Sequence, residues 1–510
     1  MSVLDRRMGL GELADVIGPL RVVGLPVGEV TALAYDSRAV SPGTLFFAVP
    51  GVHVDGHDFV PQAVERGALA VVVEREVPGT EVPQLVVERT RDALADAADA
   101  WYNRPSQRLR VIGITGTDGK TTSAFLAVEV LLAGGRRPGL IGTVAVRVGD
   151  EMRPNLERNT TPEAPELQAL LAQMVAAGND CVVMEATSHG LAQSRVRNAR
   201  FQVGVFTNLT SEHLEFHGSL DNYRSAKAML FEEAPIAILN ADDPSCGYFR
   251  ERARERVVTY GVETDADLRA TDVDARGDGT TFHLAAPDWS GNVRVPIPGS
   301  FNVHNALAAM ALGWIEGVPL EVAAGAIGRS AGVPGRMETV DEGQPFTVVV
   351  DYAHTADSLG KVLRVLRPLA GGQLMAVFGS AGERDPTKRA PMGRVAAELA
   401  DIVVVTDEDP RLEDPRAINE AIADGARAAG ARDGESLLVI DDRPAAIARA
   451  VSLARPGDVI LLAGKGHEQS IIYGAQKRWW DEKEVARRAL RAAGYRRPDA
   501  GGSDAGGSDA

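Results

Sequence analysis

Residues 113–122 read Gly-Ile-Thr-Gly-Thr-Asp-Gly-Lys-Thr-Thr. The mostly apolar run at 109–112 before them predicts a buried strand, and residues 123–132 after them carry apolar side chains at helical spacing. A strand, a glycine-rich turn, Lys-Thr and a helix form the layout of a phosphate-binding loop, in which backbone N–H groups face the phosphates. Lys120 would neutralise phosphate charge, and the Thr121 hydroxyl would reach Mg²⁺. The chain is therefore predicted to bind a nucleoside triphosphate.

The glycine spacing of this loop differs from the common phosphate-loop pattern. That pattern places a glycine where this chain has Ile114, and the glycines here are Gly113, Gly116 and Gly119. A glycine-rich turn that binds no nucleotide is the alternative interpretation. Lys120 and Thr121, which follow the turn in the expected register, disfavour it. The irregular spacing is itself a clue to the family.

Composition limits the classes of protein to which the chain can belong. It has 510 residues, too many for one core, and 45% hydrophobic and 24% charged residues, as in ordinary soluble globular proteins. The net charge of −16 disfavours nonspecific binding to nucleic acid or to anionic membranes, and weakly favours a monomer. Two cysteines, Cys181 and Cys246, show neither metal nor disulfide spacing. Because no signal peptide or membrane span is evident, we expect a cytoplasmic protein without membrane insertion.

Three α/β domains and a tail are predicted along the chain. Residues 1–107 alternate short strands and helices, and residues 108–336 contain near-continuous apolar strands that predict a mostly parallel sheet. Residues 337–497 alternate strands and helices again, as in a Rossmann-like α/β domain. Residues 498–510 contain a repeated Gly-Gly-Ser-Asp-Ala, which predicts a flexible tail.

Four further segments carry chemically competent side chains. Glu185 ends a predicted strand, where either a Mg²⁺ ligand or a surface acid that caps the next helix is expected. His213 lies in a run of two histidines and two glutamates that suits metal or phosphate, although solvated loop histidines are common. Lys227, read alone, is a solvent-facing lysine on a helix. Asn302 and Asn305 lie one helical turn apart and suit either a base edge or a helix cap.

Taken together, these segments resemble the Mur ligases, which use ATP to build peptidoglycan precursors. The resemblance rests on 115–122, on Glu185 with Ser188-His189, on Asn208-Leu209 with His213, and on Asn302 with Asn305, and it extends over residues from about 30 to 490. The irregular glycine spacing is the version found in that family. Five further segments resemble the branch that adds a diamino acid to UDP-MurNAc-L-Ala-D-Glu.

The resemblance implies a set of site residues. Catalytic roles would fall to Lys120, Glu185, His213 and Lys227. Two Mg²⁺ ions would be held by Thr121, Glu185, His213 and Lys227 as its carbamate. ATP would contact Gly116, Thr117, Asp118, Gly119, Lys120, Thr121, Thr122, Asn302, Asn305, Arg336, Asp351 and His354. The UDP-linked substrate would contact Ser37, Thr160, Thr161, Thr187, Gln193 and Arg195. The amino acid would contact Arg384, Glu408, Asp409, Pro410, Arg411, Gly464 and Glu468. The first domain would bind the UDP-linked substrate, the second ATP and the third the amino acid.

The implied reaction is ATP-dependent acyl transfer among small molecules. ATP phosphorylates the D-Glu side-chain carboxylate, and the incoming amine then displaces phosphate. A folylpolyglutamate-synthetase-like ligase is a more distant alternative, which the first domain and Glu-Asp-Pro-Arg disfavour. A noncatalytic nucleotide-binding protein is another, which the intact Lys120, Glu185, His213 and Lys227 disfavour.

Two departures from the family pattern bear on function. Asp118 stands where Asn is usual and should repel phosphate unless it points away or binds metal. Glu408-Asp409-Pro410-Arg411 replaces the Asp-Asn-Pro-Arg of members that choose meso-diaminopimelate. Arg411 favours a distal carboxylate, as in meso-diaminopimelate, whereas Asp409 suits the ammonium of L-lysine or L-ornithine. Arg411 could also pair with Glu408 or Asp409. We expect meso-diaminopimelate, with the other two amino acids as alternatives.

Overall fold

The structure is a computed structural model that describes residues 6–51, 54–155, 159–210, 214–276 and 279–496. His213 and the predicted tail lie outside these residues. The described chain divides into two compact units. The first comprises the residues up to Asp272 with Phe282–Val293 and Val303–Ser330, and the second comprises Val273–Thr281, Arg294–Asn302 and the residues from Ala331 onward. The three domain ranges stay a prediction.

Strands and helices alternate through most of the chain. The described strands, β1–β26, are Met8–Gly9, Arg21–Val23, Glu29–Val30, Ala32–Ala34, Thr44–Phe47, Ala68–Val73, Gln84–Val86, Arg110–Thr115, Pro138–Ile141, Ala145–Val148, Glu151–Pro154, Cys181–Glu185, Phe201–Phe206, Ile236–Asn240, Arg256–Gly261, Leu268–Arg276, Gly279–Ala285, Ser290–Val295, Glu338–Val340, Thr347–Asp351, Leu374–Phe378, Ile402–Val405, Leu437–Val439, Val459–Ala463, Ser470–Tyr473 and Gln476–Trp479. The described helices, α1–α16, are Leu10–Ile17, Val60–Glu65, Thr90–Trp101, Lys120–Ala133, Ala164–Ala176, Ser188–Ala192, Leu214–His217, Leu220–Glu233, Cys246–Arg250, Phe301–Ile315, Leu320–Gly328, Ala356–Leu366, Arg389–Leu399, Pro415–Ala428, Arg443–Leu453 and Glu482–Ala492.

The phosphate-loop strand β8 lies inside the largest sheet. The strand order is β11-β10-β9-β12-β8-β13-β14-β15-β16-β17-β18. β8 pairs in parallel with both β12 and β13, and only β9, β10 and β11 form antiparallel pairs within its first half. Because parallel strands end at the same edge, Thr115, Glu185 and Phe206 open onto one side of the sheet, where ligands of such folds bind. The predicted mostly parallel sheet is confirmed.

The N-terminal sheet has the order β2-β7-β6-β5-β4, and all of its pairs are parallel except β2–β7. Neighbouring residues of β5 face opposite sides of it. Phe47 packs with Leu13 of α1 and Leu94 of α3, whereas Phe46 packs with Val60 of α2. Helices on both faces bury the central strands β5 and β6, which are therefore nearly continuous apolar runs, whereas the edge strand β2 is largely exposed.

The sheet of the second unit has the order β19-β20-β24-β21-β22-β23. All of its pairs are parallel except β19–β20. The carboxyl ends of β20, β21, β22 and β24 lead into the segments that contain the predicted ATP and amino-acid residues. Polar caps fix the helix that follows His354, because Thr355 and Ser358 exchange side-chain and backbone hydrogen bonds at the start of α12. The predicted α/β fold is confirmed for both units.

Both cysteines are free thiols, and Cys181 is fully buried in β12. None of the helices in the described ranges is long and apolar enough to cross a membrane.

Two glycines allow α13 and α14 to touch along their backbones. A Cβ added to Gly393 would lie 1.9 Å from the carbonyl oxygen of Ile422, and one added to Gly425 would lie 2.0 Å from that of Ala390. We predict that Gly425→Ala lowers the free energy of unfolding by about 1–3 kcal/mol, since the helices must separate. Denaturant unfolding of the full chain measures this change.

Gly11→Ala is the matched control, because the nearest atom to its added Cβ is the Pro26 carbonyl oxygen at 3.7 Å. This replacement within α1 should leave stability unchanged or raise it by up to about 1 kcal/mol. Equal stabilities of Gly425→Ala and the parent would contradict the close helix contact.

Candidate active site

The phosphate loop requires glycine at two positions. Gly116 has a φ of 152° and Gly119 a φ of 83°. A Cβ at Gly116 would lie 1.9 Å from Thr207 Oγ1, and one at Gly119 would lie 2.3 Å from Asn305 Oδ1. Ile114, by contrast, is a buried residue of strand β8. The irregular glycine spacing is therefore explained by the positions at which Thr207 and Asn305 lie too close to the loop for any side chain.

A short segment after β13 holds the loop in place. The Thr117 N–H donates to the Asn208 carbonyl at 2.8 Å, and the Asp118 N–H donates to Asn208 Oδ1 at 2.9 Å. Thr207 Oγ1 donates to the Asp118 carbonyl at 2.6 Å. Asp118 is thus held through its backbone, while its side chain is exposed. The exposed position of this side chain explains how the loop tolerates an acid where the family has Asn.

Two lysines donate to the same carbonyl oxygen of the loop. Lys120 Nζ lies 2.9 Å and Lys227 Nζ 2.8 Å from the Gly116 oxygen. Lys227 is only 1% exposed and lies 4.3 Å from the centre of the Tyr223 ring. The interpretation of Lys227 as a solvent-facing residue is therefore wrong. A signal in the sequence could have shown this, since Tyr223, Lys227 and Leu230 recur at the spacing of one helix face.

Glu185 forms a polar cluster beside the loop. It is 1% exposed and accepts hydrogen bonds from Thr121 Oγ1 at 3.0 Å, the Thr143 N–H at 2.8 Å and Thr143 Oγ1 at 3.0 Å. Thr187, rather than Glu185, caps α6 by accepting from the Gly190 N–H at 3.1 Å. The alternative of a surface acid is wrong. Sequence reasoning missed Thr143, although it lies two residues after the apolar strand β9, much as Glu185 lies at the end of β12.

A cavity of about 300 Å³ opens beside these groups. Three positively charged side chains reach it, those of Lys120, Lys227 and Arg195, and His189 adds a further polar ring. Such a lining suits a ligand with several anionic oxygens. The cavity is lined by Gly116, Lys120, Asn159, Thr160, Thr187, Ser188, His189, Arg195, Tyr223 and Lys227.

Arg195 is fixed by contacts on several sides. Its Nε lies 3.0 Å from Glu163, and its terminal nitrogens donate to the Thr161 carbonyl at 3.1 Å and to Gln193 Oε1 at 2.6 Å. Burial lowers the pKa of the Arg195 guanidinium, an effect that Glu163 opposes. Glu163 also accepts from Arg91 of α3 at 3.1 Å. The N-terminal sheet region is thereby tied to the wall of the cavity.

Several predicted residues are not part of the cavity lining, and Ser37, Asn305 and Asn302 are three of them. Ser37 is buried and donates to Gln62 Oε1 at 2.7 Å. Asn305 Oδ1 accepts from Ser123 at 3.3 Å and lies against Gly119 of the loop. Asn302, which belongs to the second unit, donates to the Pro298 carbonyl at 2.8 Å at the entrance to α10.

Three of the predicted ATP residues of the second unit, Arg336, Asp351 and His354, form one cluster around the end of β20. Asp351 accepts from the backbone N–H groups of Met337 and Ala353, both at 2.8 Å. Burial raises the pKa of Asp351, and the charge of Arg336 opposes that rise. The Arg336 guanidinium lies 4.9 Å from the centre of the Tyr352 ring, which is also 4.8 Å from the ring of His354. Burial lowers the pKa of His354, so the neutral ring is favoured.

The predicted amino-acid residues converge at the ends of β21, β22 and β24. Asp409 accepts from Lys465 Nζ at 3.1 Å and from the Ile472 N–H at 2.9 Å. Lys465 is fully buried and also donates to Glu468 at 2.6 Å. The charge of Asp409 is therefore balanced by a lysine of this chain. Lys465 was not predicted as a site residue, although Gly464 and Glu468 on either side of it were.

Glu408 is a buried acid that accepts no hydrogen bond from any residue the structure describes. Burial raises its pKa, against the charges of Lys465 and Lys388. Gly464, with a φ of 100°, passes so close that an added Cβ would lie 2.8 Å from Glu408 Oε2. The Glu408 carboxylate therefore lies against position 464, where a side chain would be both strained and too close.

Arg411 keeps its guanidinium unpaired. Its backbone is fixed, because its N–H donates to the Ile472 carbonyl at 2.9 Å and its carbonyl accepts from Gly474 at 2.7 Å. Its Nε is buried without a hydrogen-bond partner, and no carboxylate of the described ranges lies within 4.0 Å of the guanidinium. The alternative that Arg411 pairs with Glu408 or Asp409 is wrong.

Arg384 and Pro410 complete this group. The Gly382 N–H donates to the Asp409 carbonyl at 2.8 Å, and a Cβ at Gly382 would lie 2.0 Å from the Pro410 oxygen. Arg384 follows two residues later and is exposed. The loop that carries it therefore lies directly against the loop that carries Arg411.

Three family models match the chain in succession. Residues 29–102 match the Mur ligase family catalytic domain, residues 114–313 the Mur ligase middle domain, and residues 335–466 the Mur ligase glutamate ligase domain. Together they include the cavity and most of the predicted amino-acid residues, but not Glu468.

Similar proteins cover nearly the whole chain. A UDP-N-acetylmuramyl-tripeptide synthetase of Roseiflexus sp. (strain RS-1) is 50% identical over 490 residues, which cover 92% of this chain and 96% of the relative. A UDP-N-acetylmuramoyl-L-alanyl-D-glutamate–2,6-diaminopimelate ligase of Geobacillus kaustophilus (strain HTA426) is 44% identical over 475 residues, which cover 91% and 96%. The solved structure of a ligase of this second name is similar with a TM-score of 0.68 and 31% identity, and the match covers 96% of this chain and 100% of that one.

His467 makes the stability of the second unit depend on pH. Its ring lies 5.0 Å from that of Tyr352, and burial lowers its pKa from 6.5 to about 4, helped by the charges of Arg336 and Lys465. Between pH 6.5 and 4 the unfolded chain takes up a proton at this ring that the folded chain does not. The contribution of the neutral His467 ring to the free energy of unfolding should therefore be fully present above pH 6.5. Below pH 6.5 the free energy of unfolding should fall by about 1.4 kcal/mol per pH unit, until the pH reaches about 4.

His467→Gln should remove this contribution, because glutamine does not titrate. The difference in unfolding free energy between parent and variant, measured from pH 7 to about 4.5, isolates it from other groups. A difference that does not vary with pH would contradict the buried neutral ring.

Proposed function

The chain belongs to the Mur ligase family, and we propose that it joins meso-2,6-diaminopimelate to UDP-N-acetylmuramoyl-L-alanyl-D-glutamate at the expense of ATP. The observation that carries the choice of amino acid is the unpaired guanidinium of Arg411 beside an Asp409 already balanced by Lys465. The cavity with Lys120, Lys227 and Arg195 supports the phosphate chemistry. Matches to similar ligases over nine-tenths of the chain support both.

We assign the three predicted domains to the three substrates. Residues 1–107 would bind the uridine diphosphate part, through Ser37 among others, and residues 108–336 would bind ATP. Residues 337–497 would hold the amino acid. The successive family matches at 29–102, 114–313 and 335–466 support this division.

The first step transfers the γ-phosphoryl group of ATP to the D-Glu side-chain carboxylate. Two negatively charged groups must approach each other, so most of the catalysis is positioning and charge neutralisation. The phosphate loop supplies backbone N–H groups, and Lys120 supplies a charge within 3 Å of that backbone. Thr160, Thr187 and Arg195 line the cavity and would hold the carboxylate-bearing substrate.

The oxygen atoms around Glu185 fit Mg²⁺, which binds proteins through one or two carboxylates together with substrate phosphates. Thr121 and Thr143 place hydroxyl oxygens 3.0 Å from Glu185 Oε2. Thr121 and Glu185 would hold one ion, and Glu185, His213 and the carbamate of Lys227 a second. The ions would neutralise the charge that gathers between ATP and the carboxylate.

Lys227 is suited to carbamylation by its surroundings. Its buried Nζ shares one carbonyl acceptor with Lys120, so two cations would lie close together in the unmodified protein. The lone pair of the uncharged amine attacks the carbon of CO₂, a proton is released, and a carbamate anion results. Repulsion between two cations thereby becomes attraction between opposite charges.

The second step is attack of the diaminopimelate amine on the acyl phosphate. The amine must first lose a proton. Glu408 is a buried carboxylate that has no hydrogen-bond donor from the described chain, and it would bind the ammonium group of the incoming amino acid. Arg411 would pair with the distal carboxylate, and Arg384, Pro410, Gly464 and Glu468 would shape the rest of the site. Phosphate then leaves from the tetrahedral intermediate.

The choice of amino acid is tested by phosphate release with meso-diaminopimelate, L-lysine and L-ornithine in turn. We expect kcat/KM to favour meso-diaminopimelate. Arg411→Ala should lower the kcat/KM for meso-diaminopimelate by about 10²-fold or more, since a charge-assisted pair is lost. The same replacement should lower the kcat/KM for L-lysine less, because L-lysine has no distal carboxylate. Arg416→Ala is the control, because Arg416 is exposed and pairs with Asp441. A preference of the parent for lysine or ornithine would contradict the assignment.

Carbamylation of Lys227 is tested by replacement. Lys227→Ala should reduce kcat by at least about 10³-fold without recovery in added bicarbonate, because the ligand oxygens are gone. In the parent, ¹³CO₂ should give a carbamate NMR signal that the variant lacks. Lys361→Ala, which removes a half-exposed lysine paired with Asp357, should keep both signal and activity. Near-parental turnover of Lys227→Ala would show that the assignment is wrong.

A further inference from the structure

Arg443 is the largest fully buried side chain of the described ranges, and it is 0% exposed. It begins helix α15, directly after the capping residue Asp442. Its Nη2 lies 2.6 Å from Oε1 of the equally buried Glu482, and its Nε lies within 3.1 Å of both Glu482 oxygens. Trp480 Nε1 donates to the other oxygen of Glu482 at 2.7 Å. The carboxylate is therefore held from two sides.

The same guanidinium donates to two backbone carbonyls. Nη2 donates to Ala463, the last residue of β24, at 2.7 Å, and Nη1 donates to Asp407, two residues after β22, at 3.3 Å. β22 and β24 are not neighbours, because β21 lies between them. One side chain thus links the ends of two strands that share no ladder of hydrogen bonds.

Both linked carbonyls stand at the entrance to the amino-acid loops. Asp407 directly precedes Glu408, and Ala463 directly precedes Gly464. Farther along, the same two loops are joined a second time by the ion pair of Lys465 with Asp409 at 3.1 Å. The separation of the two loops is therefore set by two contacts, the hydrogen bonds of Arg443 at the ends of the strands and the ion pair of Lys465 with Asp409 farther along the loops.

Stability alone is a poor reason for this arrangement. A buried ion pair loses so much hydration that replacing it with apolar residues often leaves a protein as stable or more so. A cation in the first turn of a helix also meets the positive end of the helix dipole. What the pair supplies, and an apolar pair would not, is two hydrogen-bond donors aimed at two strand ends.

We propose that Arg443, held by Glu482, is a positioning residue that sets the distance between the loop of Glu408 and Arg411 and the loop of Gly464 and Glu468. Since these loops would grip opposite ends of the amino acid, Arg443 governs its affinity and selectivity without touching it. This inference rests on the proposed ligation of a diamino acid.

The test uses the full chain with Arg443→Met/Glu482→Gln. This variant removes both charges together and keeps an oxygen acceptor for Trp480. We expect the KM for meso-diaminopimelate to rise about 10- to 100-fold, since small displacements of binding groups have effects of that size. The KM values for ATP and for the UDP-linked substrate should stay within about twofold of the parent, and the preference for meso-diaminopimelate over L-lysine should fall.

Arg443→Lys provides a second variant that keeps a charge for Glu482 and so protects the fold. A single ammonium cannot serve two carbonyls on separate strands as the planar guanidinium does, so the KM for the amino acid should again rise selectively. Arg491→Met/Glu342→Gln is the matched control, because it removes an ion pair of the same unit, 2.9 Å long, that touches neither loop. Its KM values should equal those of the parent.

The outcomes separate the two proposals. A parent that releases no phosphate in response to any diamino acid contradicts the proposed function. An active parent, with folded Arg443 variants that retain the parental KM and selectivity for the amino acid, overturns the positioning role. An equal rise in all three KM values also overturns it, because a general loss of structure would produce that pattern.

Discussion

Parallel strands that end at a common edge are the constraint on which both halves of this protein depend. In the first unit β8, β12 and β13 are hydrogen-bonded neighbours, so the phosphate loop, Glu185 and the Thr207-Asn208 segment emerge side by side. The second unit has the same arrangement, because its parallel strands are hydrogen-bonded neighbours in the order β20, β24, β21 and β22. The segments at their ends, which carry Asp351, Gly464, Gly382 and Glu408, therefore also emerge side by side. Residues far apart in the chain meet at these edges, where the backbone ladders hold neighbouring strands about 4.8 Å apart.

Charge balance is the second theme of the two sites. Each places a charged group where it would be unfavourable without a compensating arrangement. The phosphate loop holds Asp118 through its backbone and leaves the side chain exposed. Asp409 is balanced by Lys465, a lysine with no access to solvent. In the loops predicted to bind the amino acid, Arg411 and Glu408 are one cation and one anion, and the Arg411 Nε and Glu408 Oε2 atoms have no hydrogen-bond partner in the described chain. A zwitterionic amino acid with a distal carboxylate and an amine complements that pair.

Much of the fold follows from sequence pattern. Apolar runs such as 182–184 and 374–378 predict buried parallel strands, and in the structure these runs lie within β12 and β21. Glycine and Lys-Thr spacing locates the phosphate loop, and a polar residue at the end of an apolar strand marks Glu185. Lys227 was harder to place, because an isolated lysine on a helix is usually solvated. Only its spacing from Tyr223 and Leu230 hints at burial. Arg443 gave no signal at all, since an arginine after Asp442 resembles any residue in the first turn of a helix.

By itself, the sequence determined the order of strands and helices, the phosphate loop and the resemblance to Mur ligases, because these depend on local periodicity and on contiguous motifs. Tertiary structure alone decided which charges cancel. Whether Asp409 faces a substrate or Lys465 depends on two loops separated by more than fifty residues, and their separation depends on the buried Arg443. The pairing of charges is a property of distances through space, to which the order of residues along the chain gives no direct access.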